Sequence, residues 1–412
     1  MEIVKELFPE YGALNYTLID FLSQVDFLLG LSQKARRNIM RQKIFLLLLI
    51  ILTATVLLSS CNGKDTTIDK ISNKYKEKIS LVNDIPHLKY KLQNKLIIDA
   101  DINYNEKRSK YNSYQARLMI FDKKSVRPTL MPEHLVKDEF HKDAGEPISR
   151  NVDTDYYFLE NKDGASLGIG GTMLYYEKPE FDNIYYAFKS DTNSDQYNAD
   201  KYKADVDLSF MSKGDAFNKV KSILSDLKIK VSDKYTCYAL DNKTMTNEYH
   251  YVSVSDDDIH QKTHTFSKDD ECYCFLLNER IGDLQISEFS YGDSDAGTYV
   301  PGTEIEVFYG KKGLIMLSIT SPYEAVATKN KQSIINLDNA IDKFDKKYKK
   351  IIITDKITVN NITLSYTASM INADKNEYTL TPAWVFDVTQ KFKDHKDNFS
   401  IMFDAFTGEE LV

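Results

Sequence analysis

The longest uninterrupted apolar stretch of the chain is Ile44 to Leu58, 15 residues without a charge. Arg36, Arg37, Arg41 and Lys43 lie ahead of it, and Ser59-Ser60-Cys61 follows directly. A helix that spans a bilayer needs about 20 apolar residues, so the run is short for a permanent span. A basic lead, a short apolar core and small residues before a cleavage point are the layout of an export signal. A simple membrane anchor is the alternative. Both readings place everything beyond residue 61 outside the cytoplasm, because the positive charges precede the run. Met40-Arg41-Gln42-Lys43 makes an ordinary signal start, so residues 1–39 are expected to be a gene-model extension and 40–60 the signal peptide. The apolar faces of 18–22 and 27–29 leave a real amphipathic segment as the alternative.

Beyond the signal, residues 61–85 are polar and lysine-rich at first, which suits a tether. From Tyr90 the pattern turns to short alternating runs, which predict strands at 96–104, 115–121, 156–159, 173–176 and 185–188. At Ser212 the period changes. Ser212 offers an N-cap with Asp215 at the third helical position, and Ala216, Phe217, Val220, Ile223, Leu224 and Leu227 form a helical stripe. Strand patterns return at 249–254, 272–277, 305–309 and 314–319. A second helix is predicted from Asn336, with Leu337, Ala340, Ile341, Phe344 and Tyr348 on one face. Strands follow at 350–354, 362–366, 383–387 and 400–403. The sequence therefore predicts an α+β protein: antiparallel β-sheets with helices packed on one face, in repeated helix-then-strands units. The expected divisions are a β-rich domain at 86–210, a helix-plus-sheet unit at 211–330 and a C-terminal one at 331–412. Trp384, the single tryptophan, is expected to pack against the 337–348 helix rather than to stack on a ligand.

Residues 1–60 hold six basic and five acidic residues, which leaves 47 Lys and Arg against 56 Asp and Glu in the mature chain. That balance, with the charges interspersed, excludes a nucleic-acid partner, since phosphate binding needs a concentrated basic surface. The 27 Tyr and 21 Phe agree with strand-rich structure; aromatic surfaces bind glycans or peptides, but in strands they more often serve as core and cross-strand pairs. Cys237, Cys272 and Cys274 follow Cys61. Cys272 and Cys274, two apart on a strand, face the same side. Outside the cell a bridge from Cys237 to either is open, while the odd count leaves one thiol over.

Two resemblances add to this. Leu58-Ser59-Ser60-Cys61 resembles the lipobox of bacterial lipoproteins, which implies diacylglyceryl transfer to the Cys61 thiol and cleavage just before it. Two acyl chains anchor a protein stably where one holds it marginally. The stretch 380–386, followed by Phe403-Asp404-Ala405-Phe406-Thr407-Gly408-Glu409, resembles the final hairpin of PepSY-type and YycH/YycI-like extracytoplasmic domains. That implies a helix on an antiparallel sheet and a binding or regulatory role without catalytic residues. The chain as a whole is similar to lipoproteins of AT-rich Gram-positive bacteria.

The remaining candidates for chemistry are few. There is no nucleophile elbow, phosphate loop or His-Glu-x-x-His helix. Gly168-Ile169-Gly170-Gly171 reads as a turn or bulge among strands. Asp256-Asp257-Asp258-Ile259-His260 with His264 holds metal-ligating side chains, but without an established spacing it reads as a solvated loop. Asp293-Ser294-Asp295-Ala296-Gly297 lacks the downstream Glu of a calcium loop and reads as a turn. No catalytic residue, cofactor or metal site is assigned. The expectation is a non-catalytic, membrane-anchored extracytoplasmic lipoprotein on the outer face of the cell membrane. It would be held by lipid on Cys61 and bind a protein, a peptide or an envelope component. An envelope hydrolase with dispersed carboxylates and a solute-binding lipoprotein are the alternatives.

Overall fold

Two-residue alternation, strand after strand, builds two sheets of nine strands each among the described residues. The computed structural model describes residues 72–411 except for 73, 83–84, 105–107, 143–155, 189–197, 205, 250, 256–257, 294–296, 330 and 394. These belong to the compact unit Ile68–Val412. The export signal, Cys61 and residues 1–39 lie outside the described residues.

The N-terminal strands are β1 (Ile79–Val82), β2 (Ile85–Lys91), β3 (Leu96–Asn103), β4 (Lys110–Tyr111), β5 (Tyr114–Leu118), β6 (Val136–Lys142), β7 (Tyr156–Asn161), β8 (Ser166–Gly170) and β9 (Met173–Glu177). The middle of the chain gives β10 (Val231–Leu240), β11 (Tyr251–Ser255), β12 (Asp258–Lys262), β13 (Cys272–Ile281), β14 (Leu284–Gln285), β15 (Glu304–Gly310), β16 (Gly313–Thr320), β17 (Tyr323–Thr328) and β18 (Gln332–Ser333). Last come β19 (Lys356–Asn372), β20 (Glu377–Lys391), β21 (Lys396–Asp404) and β22 (Glu410–Leu411). The described α-helices are α1 (Lys123–Leu130), α2 (Phe181–Phe188), α3 (Lys213–Asp226), α4 (Asn242–Glu248) and α5 (Leu337–Tyr348).

The first sheet runs β1-β2-β3-β19-β20-β21-β22, with β5 beside β20 and β17 beside β5. Its neighbours are antiparallel except β3 and β19, which run parallel with Ile98 opposite Val359. The second sheet runs β10-β13-β15-β16-β9-β8-β7-β6, with β14 hooked onto β13. The α+β expectation holds, and neither sheet closes into a barrel. Strands from 86–210 do not form a sheet of their own: β2, β3 and β5 join the first, β6 to β9 the second.

α5 behaves as its stripe predicts. Asn336 caps it, its Oδ1 accepting the Asn339 N–H at 2.9 Å. Leu337, Ala340, Ile341 and Phe344 are fully buried against the first sheet, where Phe344 stacks on Phe386 at 4.9 Å. Trp384 is fully buried in the same core, donates its indole N–H to the Ile335 carbonyl at 3.0 Å and meets Tyr104 edge-on. α3 is capped by Ser212, whose Oγ accepts the Asp215 N–H at 3.1 Å and lies 2.7 Å from its carboxylate. Its stripe covers one face of the second sheet over Phe275, Val307 and Leu317.

Four expectations need correction. Residues 185–188 are not a strand but the end of α2, where Phe181, Ile184, Ala187 and Phe188 are buried at helical spacing. With α4, that helix covers part of the opposite face of the second sheet, over Cys272, Cys274, Phe308 and Met316; helices therefore pack on both faces of this sheet, not one. Residues 350–354 form no strand, and Ile352 is 90% exposed. Gly168 and Gly170 lie inside β8, not in a turn; only Gly171 turns, with φ 54°. The bridge left open from Cys237 to Cys272 or Cys274 does not form. Register sets Cys237 opposite Phe275 and Tyr238 opposite Cys274. Cys237 thus sits in the α3-side core and the other two in the α2-side core. A sheet separates the sulfurs.

The C-terminal hairpin forms as the resemblance implies. β20 pairs antiparallel with β21 from Ala383–Asp404 to Lys391–Lys396. The Asp404 carboxylate then accepts the N–H groups of Phe406 and Thr407, both at 2.8 Å. Gly408 completes the reversal at φ 71°, a conformation that costs glycine no Cβ strain.

Candidate functional site

Alternation gives the first sheet one apolar face, under α5, and one polar face. Asn103 on β3, Asn361, Thr363 and Ser365 on β19, and Asp387 on β20 share the polar side. Facing them are Lys234 and Thr236 on β10, Leu276 and Asn278 on β13, and the Ser287-Glu288-Phe289 segment after β14. Between the two lies a cleft of about 770 Å³. The sheets are tied beside it by the Ser287 N–H bonded to the Tyr366 carbonyl at 2.8 Å.

A chain of amides organises one wall. Lys234 Nζ donates to Asn103 Oδ1 at 3.1 Å, and Asn103 Nδ2 to Asn361 Oδ1 at 2.8 Å. Asn361 Nδ2 lies 2.9 Å from both Asp387 Oδ2 and Thr363 Oγ1. The Ser400 hydroxyl donates to Asp387 Oδ1 at 3.0 Å. Burial nonetheless pushes the Asp387 carboxyl above its ordinary range, more than these donors pull it down. Glu288 is also raised, first by burial and then by the Asp387 charge, with Asn278 Nδ2 at 3.5 Å opposing. Two carboxyl groups held above their ordinary range, one of them partly by the charge of the other, share one cleft. A ligand that brings hydrogen-bond donors or positive charge relieves both.

Two other places hold titratable groups with shifted pKa. His87 lies between Asp101 Oδ1 (2.7 Å from Nδ1) and Asp99 Oδ1 (2.8 Å from Nε2), and its pKa is raised chiefly by the Asp101 hydrogen bond. Asp101 is two residues from Asn103, on the same face. Glu279 on β13 lines a separate cavity of about 590 Å³ with Arg117, Lys228, Lys230 and Arg280. Its carboxyl accepts the Tyr323 N–H at 2.9 Å and meets Thr303 Oγ1 at 3.1 Å. Burial pushes it up to about 8.

The candidates read from sequence fall elsewhere. Asp256 and Asp257 lie outside the described residues, and Asp258 and His260 belong to the hairpin β11–β12, with His260 opposite Ser253. His264 packs edge-on against Phe266 at 4.5 Å. Around Asp293, the Thr298 N–H bonds to the Asp293 carbonyl at 2.9 Å; the turn expected at 293–297 falls mostly on residues 294–296, outside the described set. Among the described residues no three His, Cys, Asp or Glu side chains gather as a metal site, and no helix is long and apolar enough to cross a membrane. Sequence reading missed Glu288, Asp387 and Asn361. Parity was the available signal for Asp387: it alternates with buried Phe386 and so belongs to the other face.

No protein-family model matches the chain, and no curated protein does. A crystal structure of an uncharacterized protein from Eubacterium rectale ATCC 33656 is similar with a TM-score of 0.64, covering 84% of this chain and 98% of that one at 19% identity. That is a likeness of fold. The Bacillus megaterium YpeB C-terminal domain aligns over 71% of this chain and 96% of its own at 11% identity, with a TM-score of 0.28, too loose an overlay to define a common fold.

Proposed function

We propose that this chain is a non-catalytic, extracytoplasmic binding protein, anchored to the outer face of the cell membrane through lipid on Cys61. Its ligand is an envelope component rich in hydroxyl or amino groups. The observation that carries the binding reading is the cleft between the sheets, where Glu288 and Asp387 are held above their ordinary range among amides and hydroxyls. Such a wall supplies acceptors at several angles and favours donors over anions. The lipobox resemblance at residues 58–61 supports the anchor.

One observation favours a second reading, an envelope hydrolase. Glycoside hydrolysis uses two carboxyl groups, one of them kept protonated, and the raised pair at Glu288 and Asp387 meets that requirement in kind. One experiment separates the two. The protein is incubated with a muramidase digest of its own cell wall, and the retained and released material is read by mass spectrometry. Binding predicts an unaltered component retained by the parent and lost from Glu288→Gln and Asp387→Asn. New cleavage products that vanish in the same variants would replace binding by hydrolysis, and identical retention by parent and variants would remove the cleft from either role. For the anchor, Cys61→Ser should abolish incorporation of labelled fatty acid; unchanged labelling refutes it.

A further inference from the structure

The second sheet carries a feature that the cleft does not use. α2 and α4 cover part of the β9–β16–β15–β13 face; among the described residues the next strip carries no helix. Along that strip the cross-strand register places Phe140 opposite Phe158, Phe158 opposite Gly168, and Gly168 opposite Tyr175. One row further, Tyr156 faces Gly170, and Gly170 faces Met173. Phe140 is 58% exposed, Met173 48%, Tyr156 43% and Phe158 38%. Four large side chains of this kind on one side of β6, β7 and β9 are not core.

The glycines explain the shape. A Cβ added at Gly170 would come within 2.7 Å of Tyr156 Cδ2, and one at Gly168 within 3.0 Å of its Oη. The Tyr156 ring therefore lies down along β8 in space that any side chain would fill. Glycine inside a strand marks such a close approach. The ring's other side is left to solvent, between Phe158 and Met173. The strip continues across β16 and β15, where Ser318 pairs with Glu306 and Thr320 with Glu304. It reaches Leu276 opposite Glu306 on β13, and Leu276 lines the cleft. At about 4.8 Å per strand, the seven steps from β6 to β10 make a track of roughly 34 Å. It is aromatic at one end, acidic in the middle, and opens into the cleft at the other.

We propose that this strip is the binding track for a linear, uncharged glycan, whose end or branch enters the cleft; this rests on the binding reading given above. A sugar ring presents one flat side of C–H groups and a rim of hydroxyls. The negative face of an aromatic ring attracts the former, and Glu304, Glu306 and the cleft amides accept from the latter. The same carboxylates repel polyanions. An apolar peptide is disfavoured by the flatness: the glycines of β8 leave the Tyr156 ring lying along the strand, so the strip offers ring faces.

The test is titration calorimetry of the full chain with cellohexaose, chitohexaose and maltohexaose as neutral probes, hexagalacturonate as the anionic one and pentalysine as the peptide. At least one neutral hexasaccharide is expected to bind. Tyr156→Ala and Phe158→Ala should each weaken it ten-fold or more with the melting temperature kept, and Tyr156→Phe should retain it. Gly170→Val, which lifts the ring without removing it, should weaken it as well. Hexagalacturonate should not bind, and any binding of pentalysine should be confined to the cleft, lost in Asp387→Asn and kept in Tyr156→Ala. Failure of all three neutral probes, binding of pentalysine in their place, or platform variants that bind like the parent would each overturn the proposal. Asp387→Asn keeps it apart from the cleft. If that variant loses the sugar while the platform variants keep it, the cleft stands and the track falls; the converse removes the cleft and leaves the track.

Discussion

Glu279 shows what a single side chain contributes at the junction of the sheets. Thr303 Oγ1 touches both the Glu279 carboxyl and the Ser321 carbonyl, at 3.1 and 3.0 Å, yet a hydroxyl has one proton to give. If it goes to the carbonyl, the carboxyl must supply the other, which agrees with a group pushed up to about 8. The folded chain then keeps a proton that the unfolded chain releases near 4.5, the ordinary value. Stability therefore falls as pH climbs from about 4.5 to about 8. Glu279→Gln keeps the acceptor for the Tyr323 N–H and has no proton to lose. Its urea midpoint should exceed the parent's at pH 8.5 and approach it at pH 5; equal pH slopes in the two proteins would exclude Glu279 as the source. This residue, like Glu288, left no trace in the sequence. Each is one acid among 61, and only the pairing of distant strands gives it its surroundings. Asp387 was half legible, because strand parity fixes its face but not what lies across from it.

Elements were easier to read where period and capping agree. α3 and α5 each have a capping side chain and an unbroken stripe, and both form as predicted. Tyr185-Tyr186-Ala187-Phe188 misled because its residues favour strands one by one, whereas burial follows the 3–4 spacing from Phe181. Residues 351–353 misled by being apolar without acquiring a partner strand. Two outcomes test these assignments. Truncating Trp384 to Ala removes a fully buried side chain and its bond to Ile335, at a cost of about 3–5 kcal/mol. Differential scanning calorimetry should show a melting temperature several degrees lower; an unchanged value would place Trp384 outside the core. Ile352→Lys, at a 90% exposed site, should shift stability by less than about 0.5 kcal/mol, and a larger loss in urea titration would show that the side chain is covered.

At the scale of the molecule, the two sheets share strands from the same stretch of chain, so their stabilities should not separate. Calorimetry is expected to give a single transition for the folded unit. A fragment of residues 86–210, which lacks β16, β19 and β20, should show no cooperative unfolding; a well-formed melt would restore the independent β-rich domain read from the sequence. Cys237, Cys272 and Cys274 should all react with a thiol reagent in denaturant without prior reduction, and fewer than three equivalents would reveal a bridge. The parallel pair β3 and β19 carries a different consequence, one of timing. Val359 is made roughly 260 residues after its neighbour Ile98, and contacts so distant in sequence form late. Until β19 arrives, β3 presents an open row of N–H and C=O groups on which a strand of another chain can assemble. The hazard to this protein thus belongs to its biogenesis, in the interval before its last quarter is complete. A chain cut short after α5 would keep most of its residues and still lack the strand on which β3 depends.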